Sequence, residues 1–466
     1  MKKSMLIGAM ALIVSNPTFA GGLLTNTNQN AAFLRNPARE AVIAIDGVYS
    51  NPAGIAFLPQ GFHLSLSWQA AFQKRQIDAN NQLFMMNESN QKPDRFFEGE
   101  SKAPVIPSFQ AAYIFNDKWS VSAQFAIGGG GGKCEFEEGL PMFEELIGGS
   151  VAQSGGTSYA LNQQLIGEQY FYSFQIGTTY RITNNFSMFG GLRGVLANCS
   201  YEGTITGLKA GGKTAADYLT LAEQATTGAQ RYEAAGMTEK AAELKAQATQ
   251  ATTVAGMLQD YNLDCSQSDL GITPIIGFDW KLGKLNLAGK YEFRTKINLE
   301  NESNNSKNVD VLMPNYTDGG KVRSDIPALL TLGAMYNIND AVRIMGGFHY
   351  YWDKDAKGSP IKNGDNTWEA LLGMEWDVND KILLSCGGQR TQYGFDDTDM
   401  SDINFNIQNW GVCIGGAYKF SEKTKLNVGY MHSFYEDHKF TTASTQTTRS
   451  YTRANDVFGV SLDIRF

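Results

Sequence analysis

The last sixteen residues, YTRANDVFGVSLDIRF (Tyr451–Phe466), decide the fold. Phe458, Val460, Leu462, Ile464 and Phe466 fall on one face of an extended strand, and Val457, Gly459, Ser461, Asp463 and Arg465 on the other. A strand that alternates for so long and stops at a terminal aromatic is the pattern of an outer-membrane β-strand, apolar toward lipid and polar toward the interior. The same parity runs through the first candidate strand, where Phe62, Leu64, Leu66, Trp68 and Phe72 oppose His63, Ser65, Ser67, Gln69 and Gln73. Further on, Leu285, Leu287, Tyr291, Phe293 and Ile297 oppose Asn286, Lys290, Glu292, Arg294 and Lys296. A face carrying four charges cannot touch lipid, so it is expected to line a lumen.

Composition agrees with this class. The chain of 466 residues has 49 Gly, 27 Phe and 20 Tyr, and only 18% of its residues are charged. No apolar run after residue 20 is long enough for a membrane-crossing helix, which needs ~20 residues. The start reads as a secretory signal peptide over residues 1–20: Lys2 and Lys3, a short apolar run, then NPTFA with cleavage after Ala20. Losing those two lysines takes the formal charge from −8 to −10, and an acidic chain argues against nucleic acid as a partner.

Short polar turns recur at 115–119, 181–186, 281–285, 337–341, 378–382 and 420–424, with longer polar loops between them. Short turns at one end and long loops at the other match an outer-membrane barrel, the short turns facing the periplasm. Strands are expected near 62–73, 107–115, 119–127, 169–181, 185–202, 271–282, 284–299, 326–338, 341–353, 366–378, 381–393, 404–420, 424–440 and 451–466. The fold class is therefore all-β: a 14-stranded antiparallel transmembrane β-barrel spanning 61–466, closed because an open edge in lipid would leave backbone groups unpaired. Two regions break the alternation. Residues 213–260 are rich in Ala, Glu, Lys and Gln, which predicts two helices broken near Gly236, with Thr238 capping the second, inside an extracellular loop over 204–268. The run Gly128, Gly129, Gly130, Gly131 and Gly132 follows the third expected strand and marks a place where it bends or stops pairing.

The leader before the first strand is not floppy in composition. Asn51, Pro52 and Ala53, followed by Gly54, are turn formers that fix backbone angles. Residues 21–60 are expected to fold as a hatch, since turn-rich backbone is tolerated at membrane depth when it is buried in protein. The stretches AREAVIAIDGVYSNPAGIAFL (38–58), YFYSFQIGTTYRITNNFSMFGGLRGVLANCSYEG (170–203), DIPALLTLGAMYNINDAVRIMGGFHYYW (325–352) and the C-terminal strand resemble the FadL family of outer-membrane long-chain fatty acid transporters. The resemblance covers nearly the whole chain and implies fourteen strands, a lumenal N-terminal hatch and a helical third extracellular loop. It also implies a kinked third strand that opens sideways to lipid, to which Gly128–Gly132 corresponds. Asn36-Pro37-Ala38 repeats the hatch motif too early and is read as chance.

Catalysis has little foothold. The four His have no ligand or triad spacing, no GxSxG elbow occurs, and no metal or cofactor is expected. The five Cys are odd in number, so at least one is free or pairs between chains; Cys199 and Cys265, flanking the helical insertion, are either a disulfide that closes that loop or two unpaired residues. Parity puts Arg193, Lys290, Arg294 and Arg343 in the lumen with Glu292, Glu369 and Glu375. These four cations are the candidates for meeting a fatty-acid carboxylate. The function expected is passive uptake of a hydrophobic small molecule by a barrel that is a monomer. Its surroundings would be outer-membrane lipid and lipopolysaccharide, and Phe466 would be read by the barrel assembly machinery. A surface adhesin and a general porin are the alternatives.

Overall fold

A computed structural model describes residues 24–442 and 445–466; the expected signal peptide lies outside them. Seventeen strand segments form one closed antiparallel sheet: β1 (Gly61–Asn80), β2 (Asp94–Ile114), β3 (Trp119–Phe136), β4 (Tyr159–Thr183), β5 (Phe186–Ala210), β6 (Tyr261–Leu282), β7 (Leu285–Glu292), β8 (Asn298–Ser303), β9 (Lys321–Arg323), β10 (Leu329–Asn337), β11 (Val342–Tyr351), β12 (Trp368–Asp377), β13 (Ile382–Gln392), β14 (Asn409–Ser421), β15 (Thr424–Tyr435), β16 (His438–Thr441) and β17 (Thr448–Arg465). β8, β9 and β16 prolong β7, β10 and β15, so the wall has fourteen strands. β1 pairs with β17 from His63 opposite Arg465 to Asn80 opposite Thr448, which closes the barrel.

The alternation holds where the sheet meets lipid. Trp68, Phe72, Phe458 and Val460 stand exposed outside, while Gln69, Gln73, Ser461 and Asp463 are buried inside. The short turns use one device repeatedly. Asn116, Asn339 and Asn379 each accept from the backbone N–H groups two and three residues on, at 2.8–3.0 Å.

Several strands run further than the alternation suggests. β2 begins at Asp94 rather than 107, and Pro104 and Pro107 lie in a stretch of it that has no partner on β3. β3 continues to Phe136, so Gly128–Gly132 sits inside a strand and not at its end. β5 reaches Ala210 and β6 begins at Tyr261, which shortens the expected loop over 204–268. Helices Ala215–Ala234 and Thr238–Met257 fill that loop, joined at Gly236 with φ 75°. The capping box is at Thr214 and Asp217; Thr238 starts the second helix, whose N-cap is Met237. The seventh strand breaks after Glu292, and the break shifts parity by one. Thr295 and Ile297 turn inward and Lys296 outward, the reverse of the expected faces.

Candidate functional site

Residues 24–58 fill the lumen as a folded hatch that is almost entirely buried. It contains helix Ala31–Arg35, capped by the Asn30 side chain on Ala32 N, and the short helical turns Gly47–Ser50 and Gly54–Phe57. Many of its polar groups are met by the inner wall. Asn51 donates to Asp279 Oδ2 at 2.6 Å, and its own Oδ1 accepts from Gly54 N at 3.1 Å. The Pro52 and Ala53 carbonyls accept from Thr179 and Ser187 hydroxyls at 2.9 and 2.7 Å. The expected hatch motif is thus a set of three adjoining anchors on β4, β5 and β6. Asn36-Pro37-Ala38 is not a chance repeat: Asn36 Oδ1 accepts from Ala38 N, and its Nδ2 donates to Glu375 at 3.3 Å. Both asparagines turn the chain and grip a wall carboxylate.

Charge fixes the other side of the hatch. Glu375 accepts from Arg35 at 2.6 Å, Arg39 at 2.8 Å and Arg343 at 2.7 Å, all within the lumen. Arg39 also makes a two-point bond to Asp46, at 2.8 and 2.9 Å. Burial alone would raise the Asp46 carboxyl, but the Arg39 guanidinium overcomes this and holds it below its ordinary range. Glu40 bonds His349, whose other ring nitrogen meets Glu369, both at 2.8 Å.

A row of wall glycines makes this closeness possible. Gly333 is opposite Gly347, Gly373 opposite Gly387, and Gly429 opposite both Gly415 and Gly459. A Cβ added at any of the seven would run into Glu40, Asn36, Pro37, Arg35, Leu34 or Ala31 of the hatch. The count of glycine was visible in the sequence, but that they form one belt under residues 31–41 was not.

Three of the four candidate ligand cations lie in the lumen and one does not. Arg193 makes a two-point bond to Glu292, and Lys290 bonds the same carboxylate at 2.6 Å. Both also face the Tyr49 ring, Lys290 at 3.8 Å from its centre, so they hold the hatch by its aromatic side chain. Arg343 is shared between Glu375 and Asp377. Arg294 lies beyond the break in the seventh strand, at the long-loop rim, where it donates to the Asp355 carbonyl. All four therefore have protein partners. The Cys199–Cys265 disulfide is absent: all five cysteines are free thiols. Cys199 is opposite Gln267 and Cys265 opposite Tyr201, so the two are diagonal neighbours. Diagonal Cβ atoms lie ~7 Å apart, too far for a bridge.

The ladder between β2 and β3 is interrupted, as is the one between β6 and the seventh strand around its break. β2 and β3 pair from Ile114 opposite Ser120 to Ser108 opposite Ala126, then not again until Ser101 opposite Cys134. Residues 102–107 and 127–133 face each other without a ladder, and β3 also shifts register against β4 at Gly129 and Gly132. Gly130 and Gly132 have φ of 82° and 69°, a conformation that side chains oppose. The first described residues of the hatch come to this point: Asn26 N donates to the Gly128 carbonyl at 3.0 Å, and a Cβ at Gly129 would strike the Leu24 carbonyl. A narrow cavity opens here, running from Asn28 and Gln69 inside past Pro107 and Ile127 to Tyr170, which faces outward.

Among solved structures, the chain shares its fold with a Pseudomonas aeruginosa FadL homologue, at a TM-score of 0.67 and 12% identity over 96% of this chain and 100% of that one. It also aligns with the Pseudomonas putida toluene transporter TodX, at a TM-score of 0.56 and 14% identity over 96% and 100%. The Ralstonia pickettii toluene transporter TbuX gives 0.51 and 14% over 92% and 98%. No family model matches the chain, and no curated protein matches it in sequence. At these identities the likeness is one of fold.

Proposed function

We propose that the protein is an outer-membrane channel for passive uptake of hydrophobic small molecules. They enter from the long-loop end, bind in the hatch-filled lumen and leave sideways through the gap between β2 and β3. That gap is the observation that carries the reading. A hydrophobic molecule released into water would expose its whole surface, at a cost of ~0.8 kcal/mol per CH₂. A passage past Tyr170 into lipid avoids most of that cost. Long-chain fatty acids are the first substrate class, and aromatic hydrocarbons the second, since two proteins of the same fold are named for toluene. A general porin reading is opposed by the hatch, which occupies the lumen with buried, paired side chains. The exposed apolar belt suits outer-membrane lipid and lipopolysaccharide. The exposed Phe466, against Phe62, suits recognition by the assembly machinery of a monomeric barrel.

The test is uptake by cells carrying Gly129→Val with Gly130→Val. Valine is excluded from the φ of Gly130, and at 129 it meets the hatch, so the gap closes or rearranges. Uptake of labelled fatty acid or toluene falls to background, while the heat-dependent gel shift of a folded barrel persists. Full uptake by a folded variant overturns lateral release.

A further inference from the structure

We infer that Arg75 and Asn455 form a carboxylate-binding site in the upper lumen, directly above the gap, for the charged head of an amphipathic substrate such as a long-chain monocarboxylate. This rests on the transport reading and names its substrate class.

Arg75 points from β1 into the lumen and is 2% exposed. Its Nε donates to Gln73 Oε1 at 3.0 Å, and its Nη1 reaches the Ile403 carbonyl at only 3.5 Å. Its Nη2 has no partner. Other buried cations of the lumen meet a carboxylate within 3 Å, including Arg35, Arg39, Arg193, Lys290 and Arg449. Among the described residues, none pairs Arg75 with a carboxylate. Directly opposite Arg75 across the ladder stands Arg453, buried as well and donating to Phe405 O and Asn406 Oδ1. Like charges opposed in a ladder repel, and a buried charge without a counter-ion is costly. Two residues along β17 on the same face, Asn455 is fully buried, and neither its Nδ2 nor its Oδ1 has a partner. An anion here would take up the idle donors of both side chains and screen the two guanidiniums from each other.

The surroundings select an anion with an apolar tail. Phe405 lies under Arg75, 5.5 Å from ring centre to guanidinium carbon, and stacks on Tyr451 at 4.3 Å. Both belong to a continuous apolar cluster with Leu24, Ile77, Cys134 and Phe136. Register then sets the height. Asn455, Gln73, Ser101 and Cys134 form one row across β17, β1, β2 and β3. That row is the last paired rung before the ladder between β2 and β3 is lost. Gln69, which lines the cavity at the gap, is four residues below Gln73, ~13 Å along the strand. A carboxylate held at Arg75 and Asn455 lays its acyl chain along this distance, toward the opening.

The test compares dodecanoate with dodecan-1-ol, the same tail without the charge, binding to the full-length protein in non-ionic maltoside micelles at pH 8. The native protein binds dodecanoate at least tenfold more tightly than the alcohol. Arg75→Gln weakens dodecanoate by about 10- to 100-fold, as expected for hydrogen bonds to a charged group, and leaves the alcohol within twofold. The ligand-free variant melts no lower than the native protein, because a repulsion has been removed; a purely structural arginine would lower it. Asn455→Leu repeats the selective loss without altering charge, and decides the matter if Arg75→Gln does not fold. Equal binding of acid and alcohol to the native protein, or an unchanged preference in a folded variant, overturns the inference and leaves the channel reading standing. Failure of the native protein to bind either molecule overturns the inference too, and removes long-chain acids from the channel reading while leaving aromatic hydrocarbons in it.

Discussion

Replacing Glu375 with Gln should release the hatch while sparing the barrel. The side chain is 2% exposed and accepts from Arg35, Arg39 and Arg343. The penalty is smaller than three broken ion pairs, because Arg39 keeps Asp46 and Arg343 keeps Asp377. Arg35 alone is stranded, left with the neutral oxygens of Asn427 and Ser385 at 3.3 and 3.2 Å. Removing one partner of a buried pair costs about 3–5 kcal/mol. The strand ladders do not depend on Glu375, so the loss falls on hatch docking and shifts that equilibrium by ~10² to 10⁴-fold. Planar-bilayer conductance reads this directly: the native channel is silent, and Glu375→Gln shows frequent openings. Adding Arg35→Leu removes the stranded charge and should restore much of the silence. A silent single variant with unchanged melting, or a double variant as leaky as the single one, would refute the argument that this carboxylate docks the hatch.

Changing Asn51 and Pro52 together to glycine removes the bond to Asp279 and the turn that presents two carbonyls to Thr179 and Ser187. Assembly should persist while amide exchange over residues 47–57 rises tenfold or more, and unchanged exchange would show that the motif is not an anchor. In the loop after β11, burial pushes the Asp353 carboxyl up to about 7 against the pull of its bonds from Thr367. The folded loop thus keeps its proton to higher pH than the unfolded chain does. That contribution is complete below about pH 4 and is lost as pH rises through 7. Protease sensitivity of residues 353–367 should therefore grow across this window, and Asp353→Asn should flatten the profile; a flat native profile would contradict it. Finally, protein unfolded without reductant should offer all five thiols to a maleimide, and a loss of two would reinstate a disulfide.

Local alternation was enough to determine the barrel, because the side-chain period of two is a property of each strand by itself. The faces of Phe62–Gln73 and of Val457–Phe466 were legible in this way, and the helical insertion by the loss of the alternation. Parity states which face a residue occupies, but neither its height nor its partner. Arg193, Lys290 and Arg343 were therefore correctly assigned to the lumen without any sign that hatch and wall already use them, and Arg294 was lost to one extra residue after Glu292. Arg75, at an equally lumenal position, differs from them only in what stands opposite, and on β17 that is Arg453. Glu375 lies 340 residues from Arg35 along the chain, and no local pattern records a contact of that span. The glycine belt is similar: each member reads as one small residue in its own strand, and only barrel closure aligns them beneath Asn36 and Pro37. The break between β2 and β3 was half visible, since the run Gly128–Gly132 weakens a ladder locally, whereas Pro104 and Pro107 on the facing strand gave no sign of their own. Their facing one another across the same gap depends on register, which the closed sheet alone sets.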